Sequence, residues 1–318
     1  MLEILIQGLI MIAILFGAAA YMTLAERVVM AWMQLRLGPN RVGPLGLLQP
    51  IADGIKLLTK ERFQPSGVEK LTYWIAPGIS LFCALFAFVL IPVGQGMALA
   101  DINAGIVFLL SISSLAVYGI VLAGWSSNSR YSLLGALRGT AQLISYEIPM
   151  GLALLTPILM ASTLSLNGLV EAQRGGWFVW TNPISFLIYV ITAFAETNRA
   201  PFDMPEAEQE LVGGYHTEYG GLKFAIFFIG EYINILVVSA IATTLFLGGW
   251  LGPFEWGKDL PIVWFAIKMA LFIFFFIWVR ATLPRLRYDQ LMSLGWKVLV
   301  PLATLNLIVT AWAVLGGG

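Results

Sequence analysis

The 318-residue chain has very few of the side chains that bind metals or form cross-links, with a single cysteine, Cys83, and a single histidine, His216. One cysteine excludes an internal disulfide and any iron–sulfur cluster held by cysteines of this chain alone. One histidine excludes a haem held by two histidines and a metal site built from several histidines. Any redox chemistry would therefore depend on a bound organic molecule or on a partner subunit.

Charge is also scarce. Charged residues make up 11% of the chain, against about 25% in soluble domains, and the mean hydropathy is +0.84. This composition predicts an integral membrane protein, and the zero net charge gives no indication of a nucleic-acid partner. The first apolar run, 2–24, is too long for a signal-peptide core and lacks a basic start, so we expect it to remain as a membrane span.

Eight apolar segments approach the ~20 residues that an α-helix needs to cross a bilayer. They predict an all-α integral membrane protein with a single membrane domain, 1–318. The fifth segment is the weakest because Thr181-Asn182-Pro183 interrupts it. The predicted spans are 2–24, 73–93, 102–124, 139–163, 177–195, 222–247, 261–283 and 298–315.

The basic residues predict the orientation of these spans. The loops after spans one, three, five and seven, with their flanks, hold 15 of the 18 lysines and arginines, whereas the opposite loops hold only Arg174 and Lys258. Positive charge marks the inner side of a membrane. Both termini are therefore expected on the outer side, and the loops 25–72 and 196–221 on the inner side.

The first inner loop contains an amphipathic pattern. Leu48, Ile51 and Ile55 recur at helical spacing, while Asp53 and Lys56 share another face. We predict an interfacial helix lying at the membrane surface. Such a helix can form the entrance for an amphipathic, lipid-like substrate, or it can simply seal the rim of the bundle, and the pattern alone does not separate these alternatives.

Residues 195–221, here called the acidic segment, hold a third of the chain's acidic side chains. Three interpretations are open: a solvated acidic face, a cation site, and a proton-exchanging path. The segment alternates carboxylates with apolar residues, and no calcium-loop spacing is present. Pro205 suits the start of a short helix whose N-terminus favours acids. The carboxylates are Glu196, Asp203, Glu206, Glu208, Glu210 and Glu218.

Three charged side chains fall well inside predicted spans, away from the span ends: Glu147, Glu231 and Lys268. Each costs about 2.5–3.5 kcal/mol at mid-membrane, so we expect them to face one another or water within the bundle. A proton path is the functional interpretation, and a buried Glu–Lys pair that fixes helix register is the structural alternative. Pro149 beside Glu147 weakens the local helix, and Ser114 offers a neighbouring hydroxyl.

Four long motifs then resemble one family closely: the membrane subunit at the heel of proton-pumping NADH:quinone oxidoreductase, respiratory complex I. Their order and their positions relative to the spans match that subunit over nearly the whole chain, although Val28 stands where the family usually has a basic residue. The motifs are AERVVMAWMQLRLGPNRVGPLGLLQPIADGIKLLTKE, GWSSNSRYSLLGALRGTAQLISYE, AETNRAPFDMPEAEQELVGGYHTEY and LPRLRYDQLMSLGWKVLVPL.

The resemblance implies the membrane side of a quinone chamber, with ubiquinone or menaquinone as substrate and no metal, flavin or iron–sulfur cluster in this chain. It implies partners as well: peripheral-arm subunits, one carrying the terminal iron–sulfur cluster, and other membrane-arm subunits. The location implied is the bacterial inner membrane or its organellar equivalent. Two alternatives remain: a related subunit of a membrane-bound hydrogenase or of a ferredoxin- or deazaflavin-linked dehydrogenase, and a stand-alone proton-coupled transporter.

The resemblance also assigns roles to residues of this chain, in two sets. The carboxylates implied for the proton path are Glu147, Glu196, Asp203, Glu206, Glu208, Glu210, Glu218 and Glu231. The residues implied to line or brace the quinone tunnel are Arg27, Gln34, Arg36, Asp53, Lys56, Arg199 and Arg280.

Overall fold

A computed structural model describes residues 2–61, 63–206, 210, 212–252 and 260–316 of the chain. Within these ranges the regular structure is helical and contains no strand. Seven of the helices are long and apolar enough to cross a membrane. A helix satisfies all of its backbone hydrogen bonds internally, which is why it is the stable form for these runs in lipid. The predicted all-α membrane fold is confirmed.

In the part of the chain that the structure describes, the helices follow one another with short 3₁₀ turns at Pro44–Gly46, Ala172–Gly175 and Gly214–His216. A π turn, Gly295–Leu299, joins the last two α-helices into one continuous span. The α-helices are α1 Leu2–Met33, α2 Gln49–Thr59, α3 Lys70–Phe88, α4 Gly105–Ser126, α5 Arg130–Ala161, α6 Leu166–Glu171, α7 Phe178–Thr181, α8 Pro183–Glu196, α9 Leu222–Phe246, α10 Pro261–Thr282, α11 Tyr288–Leu294 and α12 Val300–Gly316.

Several helices extend beyond the apolar segments that predict them. Helix α1 continues from Leu24 to Met33, and α5 begins at Arg130 instead of Gly139. Both extensions lie at the predicted inner end, where polar residues can continue a helix because they no longer face hydrocarbon. The last span begins at Tyr288, ten residues before the apolar run that marks it in the sequence.

Helix α8 is the exception in length. Its 14 residues cover only about 21 Å at ~1.5 Å per residue, less than the ~30 Å hydrocarbon core. The interruption expected at Thr181-Asn182-Pro183 is present: α7 ends at Thr181, and the Asn182 side chain accepts a hydrogen bond from the Ser185 backbone N–H at 3.1 Å to start α8. Because α8 is short, Glu196 at its other end lies within the bundle, 5% exposed.

Helix α9 is central, with 67% of its most apolar window buried. Around it, small residues allow close approach of neighbouring backbones. A Cβ on Gly119 of α4 would lie 3.1 Å from the Ser80 backbone nitrogen of α3, and one on Gly124 would lie 2.7 Å from the Ser132 carbonyl oxygen of α5. The sequence therefore packs α3, α4 and α5 tightly on one side of α9.

Lys268 does not face the buried carboxylates, contrary to expectation. Its ammonium group donates hydrogen bonds to the backbone carbonyls of Leu247, Gly249 and Leu251, which follow the C-terminal end of α9, and it lies 4.5 Å from the centre of the Trp177 ring. Leu247 is 16 residues beyond Glu231, which corresponds to about 24 Å along the axis of α9. Lys268 is therefore far from Glu231. Lys268 thus satisfies backbone carbonyls of the turn that follows the helix, and its charge suits the C-terminal end of the helix dipole.

The predicted interfacial helix is present as α2. Ile51, Ile55 and Leu58 are 54%, 56% and 60% exposed, which suits an apolar face turned toward lipid at the membrane surface. On another face, Asp53 accepts a hydrogen bond from Arg27 of α1 at 2.7 Å. One ion pair thus ties α2 to the C-terminal part of α1.

Candidate functional site

A cavity of about 60 Å³ lies among α3, α4, α5, α8 and α9. Its lining is mostly apolar, but it includes polar residues, among them Ser80, Ser113, Glu196, Glu231 and Asn234. A polar cavity needs about 10–15 Å³ of such volume to hold one water, so this one has room for water. Two acidic side chains thus share one hydratable space in the bundle interior.

Glu147 extends this group toward α5. It is close enough to Glu196 to interact with it electrostatically, and the Ser114 hydroxyl of α4 interacts with its carboxyl group. One carboxylate oxygen, Oε1, is buried without a hydrogen-bond partner among the described residues. The structure therefore brings together Glu147, Glu196 and Ser114, as expected from sequence. Ser80, Ser113 and Asn234 were missed, because a lone serine or asparagine in an apolar helix usually mediates packing.

Glu231 connects the cavity to the acidic segment. Tyr215, in the Gly214–His216 turn, donates a hydrogen bond from its hydroxyl to Glu231 Oε1 at 2.9 Å. Glu231 also interacts electrostatically with Glu206 and Asp203. Four acidic side chains are thus in succession, from Asp203 and Glu206 through Glu231 and the cavity to Glu196.

Asp203 lies in the acidic segment, outside the spanning helices, and is mostly buried. Burial, together with the charge of Glu206, raises the pKa of Asp203 to about 6, although Arg285, Arg280 and Arg199 oppose the rise. A carboxyl group with such a pKa can exchange a proton close to neutral pH. The Asp203 Oδ1 atom finds no hydrogen-bond partner among the described residues.

Helix α5 fixes the acidic segment in place. The buried Gln142 amide donates hydrogen bonds to the backbone oxygens of Ala195 at 2.8 Å and Phe202 at 2.7 Å. A Cβ on Gly135 would lie 2.9 Å from the Pro205 carbonyl oxygen and from Gly214 backbone atoms. The Gln142 side chain and the absence of a side chain at Gly135 therefore set the distance between α5 and the acidic segment.

A second ionic cluster lies beside the first, and the sequence analysis missed its central residue. Glu26 of α1, 5% exposed, forms ion pairs with Arg280 of α10 and with Arg199, the latter at 3.5 Å. The Tyr232 hydroxyl donates a hydrogen bond to Glu26 at 2.6 Å, and the Arg199 guanidinium lies 4.5 Å from the Tyr232 ring centre. Glu26 was missed because its neighbour Arg27 belongs to the basic residues that predict an inner-surface position. In the sequence nothing separates Glu26 from Arg27, and only the structure shows that Glu26 is buried.

Arg199 has unused hydrogen-bonding capacity. It is 9% exposed, and its Nε and Nη2 atoms have no hydrogen-bond partner among the described residues. A guanidinium presents its donors in a fixed planar arrangement that suits oxygen acceptors. The cluster therefore contains buried N–H donors of the kind that carbonyl and hydroxyl oxygens accept.

Other predicted tunnel residues lie nearer the surface. Asp53 interacts with Arg27 at 2.7 Å and with Lys56 at 3.7 Å, and Arg36 donates a hydrogen bond to Gln34 at 2.7 Å. Gln34 and Arg36 are exposed. These residues lie in the C-terminal part of α1, in the turn that follows it and in α2, and these contacts join them to one another and not to the buried clusters.

The remaining predicted carboxylates differ in their surroundings. Glu210 is exposed and paired with Arg138 of α5, whose hydrogen bond lowers the pKa of Glu210. The backbone carbonyl of Glu218 accepts a hydrogen bond from the Tyr73 hydroxyl at 2.6 Å. Glu208 lies outside the described residues. In the described ranges no group of three or more histidine, cysteine or acidic side chains could hold a metal ion.

The fold and the site together define a class: a multi-pass helical membrane protein that gathers ionisable side chains in its interior. Such residues are costly in lipid and mark substrate or proton pathways.

Comparison with known proteins specifies the family. The model of the NADH dehydrogenase family matches residues 6–311. The H subunit of the NADH-quinone oxidoreductase of Protochlamydia amoebophila is 69% identical over 309 residues, covering 94% of each chain. A second such H subunit, from Geobacter sulfurreducens, is 53% identical over 99% of this chain and 98% of its own. The H subunit of Rhodospirillum rubrum is 50% identical over 97% and 93%. The chain belongs to the NADH dehydrogenase family.

Proposed function

We propose that the chain is a membrane subunit of an NADH:quinone oxidoreductase that forms the membrane side of the quinone chamber and links quinone reduction to proton movement. The names of the three relatives favour this function over a hydrogenase subunit or a transporter. The observation that carries the coupling role is the succession of carboxylates from Asp203 to the cavity between Glu231 and Glu196.

The quinone is bound as a substrate near the Glu26–Arg199–Arg280 cluster. It enters beside α1 and α2, where the exposed apolar face of α2 meets the lipid. The unused donors of Arg199 suit the oxygens of a quinone headgroup. The electrons come from a peripheral partner that carries an iron–sulfur cluster, and reduction to the quinol consumes two electrons and two protons.

Reduction changes the charge near the acidic segment, and the carboxylates respond. Since Asp203 interacts with Arg199, Arg280 and Arg285, a negative charge on the quinone weakens the hold of these cations on its carboxylate. A proton taken up there alters the field at Glu206 and Glu231, which are electrostatically linked to Asp203. Other membrane-arm subunits carry the protons across; this chain supplies the link.

Glu147→Gln and Glu206→Gln test the coupling role. Each replacement keeps size and hydrogen-bonding capacity but removes the titratable group. Because a positioned acid–base group contributes about 10²–10⁴-fold, we expect an assembled complex whose quinone-coupled proton transfer falls at least tenfold. Proton uptake and quinone turnover are measured in vesicles containing the whole complex.

Glu171→Gln provides the matched control, since Glu171 lies in a loop predicted on the opposite, outer side, where it pairs with exposed Arg174. Its turnover should equal that of the unmodified complex. Normal proton stoichiometry in both of the first two variants would overturn the coupling role. Purification without any iron–sulfur partner would overturn the assignment to the complex.

A further inference from the structure

Tyr215 is a buried titratable residue that joins the acidic segment to the membrane interior. Its side chain is 2% exposed, it lines the cavity shared by Glu196 and Glu231, and its hydroxyl contacts Glu231 Oε1 at 2.9 Å. Glu231 belongs to α9, whereas Tyr215 belongs to the loop. The hydrogen bond therefore joins the membrane-spanning helix α9 to the acidic segment.

The backbone sets the position of this hydroxyl. The Tyr215 backbone N–H donates to the Pro205 carbonyl at 3.3 Å. The preceding Gly214 has φ +60°, and a Cβ there would lie 1.7 Å from the same carbonyl oxygen. The ring packs edge-on against Phe227 of α9, with centroids 5.3 Å apart. With the ring so confined, a movement of the Pro205–Gly214 contact would carry the hydroxyl with it.

Near neutral pH this phenol is a donor. Burial, and then the charges of Glu231 and Glu206, raise the pKa of Tyr215 above its ordinary value, so it keeps its proton. A hydrogen bond donated to an ionised carboxylate is roughly twice as strong as one between neutral groups. The contact is consequently strong when Glu231 is charged and weak when it is protonated. Glu206, Arg199 and Asp203 are the other charged groups that act on Glu231.

We propose that Tyr215 is a positioning residue that links the place of the acidic segment to the charge on Glu231. This inference rests on the proposed function. A charged Glu231 holds the Gly214–His216 turn against α9, and a neutral Glu231 releases it. The link is reciprocal: a displacement of the segment that breaks the hydrogen bond makes Glu231 easier to protonate. Quinone chemistry that moves the segment thereby changes the proton occupancy of the cavity.

Tyr215→Phe in the assembled complex tests this link, because it removes the hydroxyl and retains the ring. Loss of a donor to a carboxylate favours the protonated form, and a hydrogen bond to a charged group corresponds to roughly one pH unit or more. We expect the pH profile of quinone-coupled proton transfer to move upward by about one unit. Tyr219→Phe is the matched control: Tyr219 lies in the same segment, is 6% exposed, and shares a hydrogen bond with Ser126 instead of an acid.

A second variant tests the opposite direction. Incorporation of 3,5-difluorotyrosine at position 215 keeps the ring and the hydroxyl but makes the phenol a stronger donor, so the profile should move to lower pH. This variant also serves if Tyr215→Phe does not assemble. If both variants share the profile of Tyr219→Phe while Glu231→Gln abolishes coupling, the inference about Tyr215 is overturned and the proposed function stands. If Glu231→Gln leaves coupling intact, the coupling role of the network, and with it this inference, fails.

Discussion

At the scale of single residues, the acids of this chain differ mainly in what surrounds them. Asp203 is mostly buried beside Glu206, which raises its pKa to about 6, whereas Glu210 is exposed beside Arg138, which lowers its pKa. One group therefore binds a proton more tightly in the folded protein than in the unfolded chain, and the other binds it less tightly. Their contributions to stability consequently have opposite dependence on pH.

The dependence for Asp203 is measurable. Its pKa is 3.8 in a model peptide and about 6 in the folded chain. As the pH rises from about 4 to about 6, the unfolded chain loses this proton first, so the contribution of Asp203 to folding becomes unfavourable. Asp203→Asn removes that penalty, and we expect its melting temperature to exceed that of the unmodified complex at pH 7 and to match it near pH 4.

Glu210→Gln supplies the control of opposite sign. Glu210 contributes stability that is lost on acidification, because Arg138 favours its charged form. That variant should therefore melt slightly below the unmodified complex at pH 7 and converge with it in acid. If the melting temperature of Asp203→Asn differs from that of the unmodified complex by the same amount at every pH between about 4 and 7, the assigned environment of Asp203 is contradicted.

The Glu26 cluster gives a stability prediction. Removing one partner of a buried ion pair leaves an uncompensated charge and costs about 3–5 kcal/mol. Glu26→Ala leaves Arg199 and the partly exposed Arg280 without their shared carboxylate, so we expect a large fall in the melting temperature of the complex. Asp289→Asn, which breaks an exposed pair with Arg287, should leave it unchanged. Equal melting temperatures for the two variants would contradict a stabilising role for the buried cluster.

Among the secondary-structure elements, α5 has the closest relation to the acidic segment. It contributes Glu147 to the carboxylates, Gln142 to the loop backbone, and a glycine surface on which Pro205 and Gly214 rest. The sequence predicts the helix and its acid because hydropathy and charge are local properties. The contact with Pro205 depends on residues about 70 positions apart, and no local pattern predicts it.

Gly135→Ala tests this contact. The new Cβ meets backbone atoms of Gly214 and Pro205 at 2.9 Å, so the loop must shift away from α5. We expect faster limited proteolysis within 203–221 and a several-fold loss of quinone turnover. Gly151→Ala, on the same helix with open space around its Cβ, should resemble the unmodified protein in both measurements. Unchanged proteolysis in Gly135→Ala would show that the loop does not rest on this surface.

Across the whole molecule, the two ends of the helix bundle have different chemistry. The predicted inner end brings together the arginine clusters, α2 and the acidic segment, while the opposite end is closed by Lys268 and by Gln173, whose amide donates to the Thr244 carbonyl at 2.9 Å. The sequence predicts the spans because few backbone conformations, chiefly the α-helix, satisfy all of their hydrogen bonds in lipid. The sequence does not predict that Lys268 binds backbone carbonyls. A lysine within an apolar run has the same local sequence pattern whether its partner is an acid or the end of a helix.

Orientation can be tested by single-cysteine labelling in cells. Cys83 is 4% exposed within the apolar core, so Cys83→Ala, which adds no polar group, serves as the cysteine-free background. In that background, Arg174→Cys should react with a membrane-impermeant maleimide added outside, and Arg287→Cys should not. The side chains at both positions are exposed, so the maleimide can react with either cysteine when it is on the same side of the membrane. Labelling of Arg287→Cys in intact cells would place the acidic segment outside and reverse the proposed topology.

The ion pair between Arg27 and Asp53 has a consequence that concerns the bilayer. Helix α2 exposes Ile51, Ile55 and Leu58, and the depth at which such an amphipathic helix lies in a membrane responds to curvature and lipid composition. Arg27, which holds α2, is the neighbour of Glu26, which holds Arg199 and Arg280. We therefore expect lateral pressure in the bilayer to act on the same residue pair that braces the buried arginines. We expect the lipids to behave as an effector of the enzyme as well as its solvent.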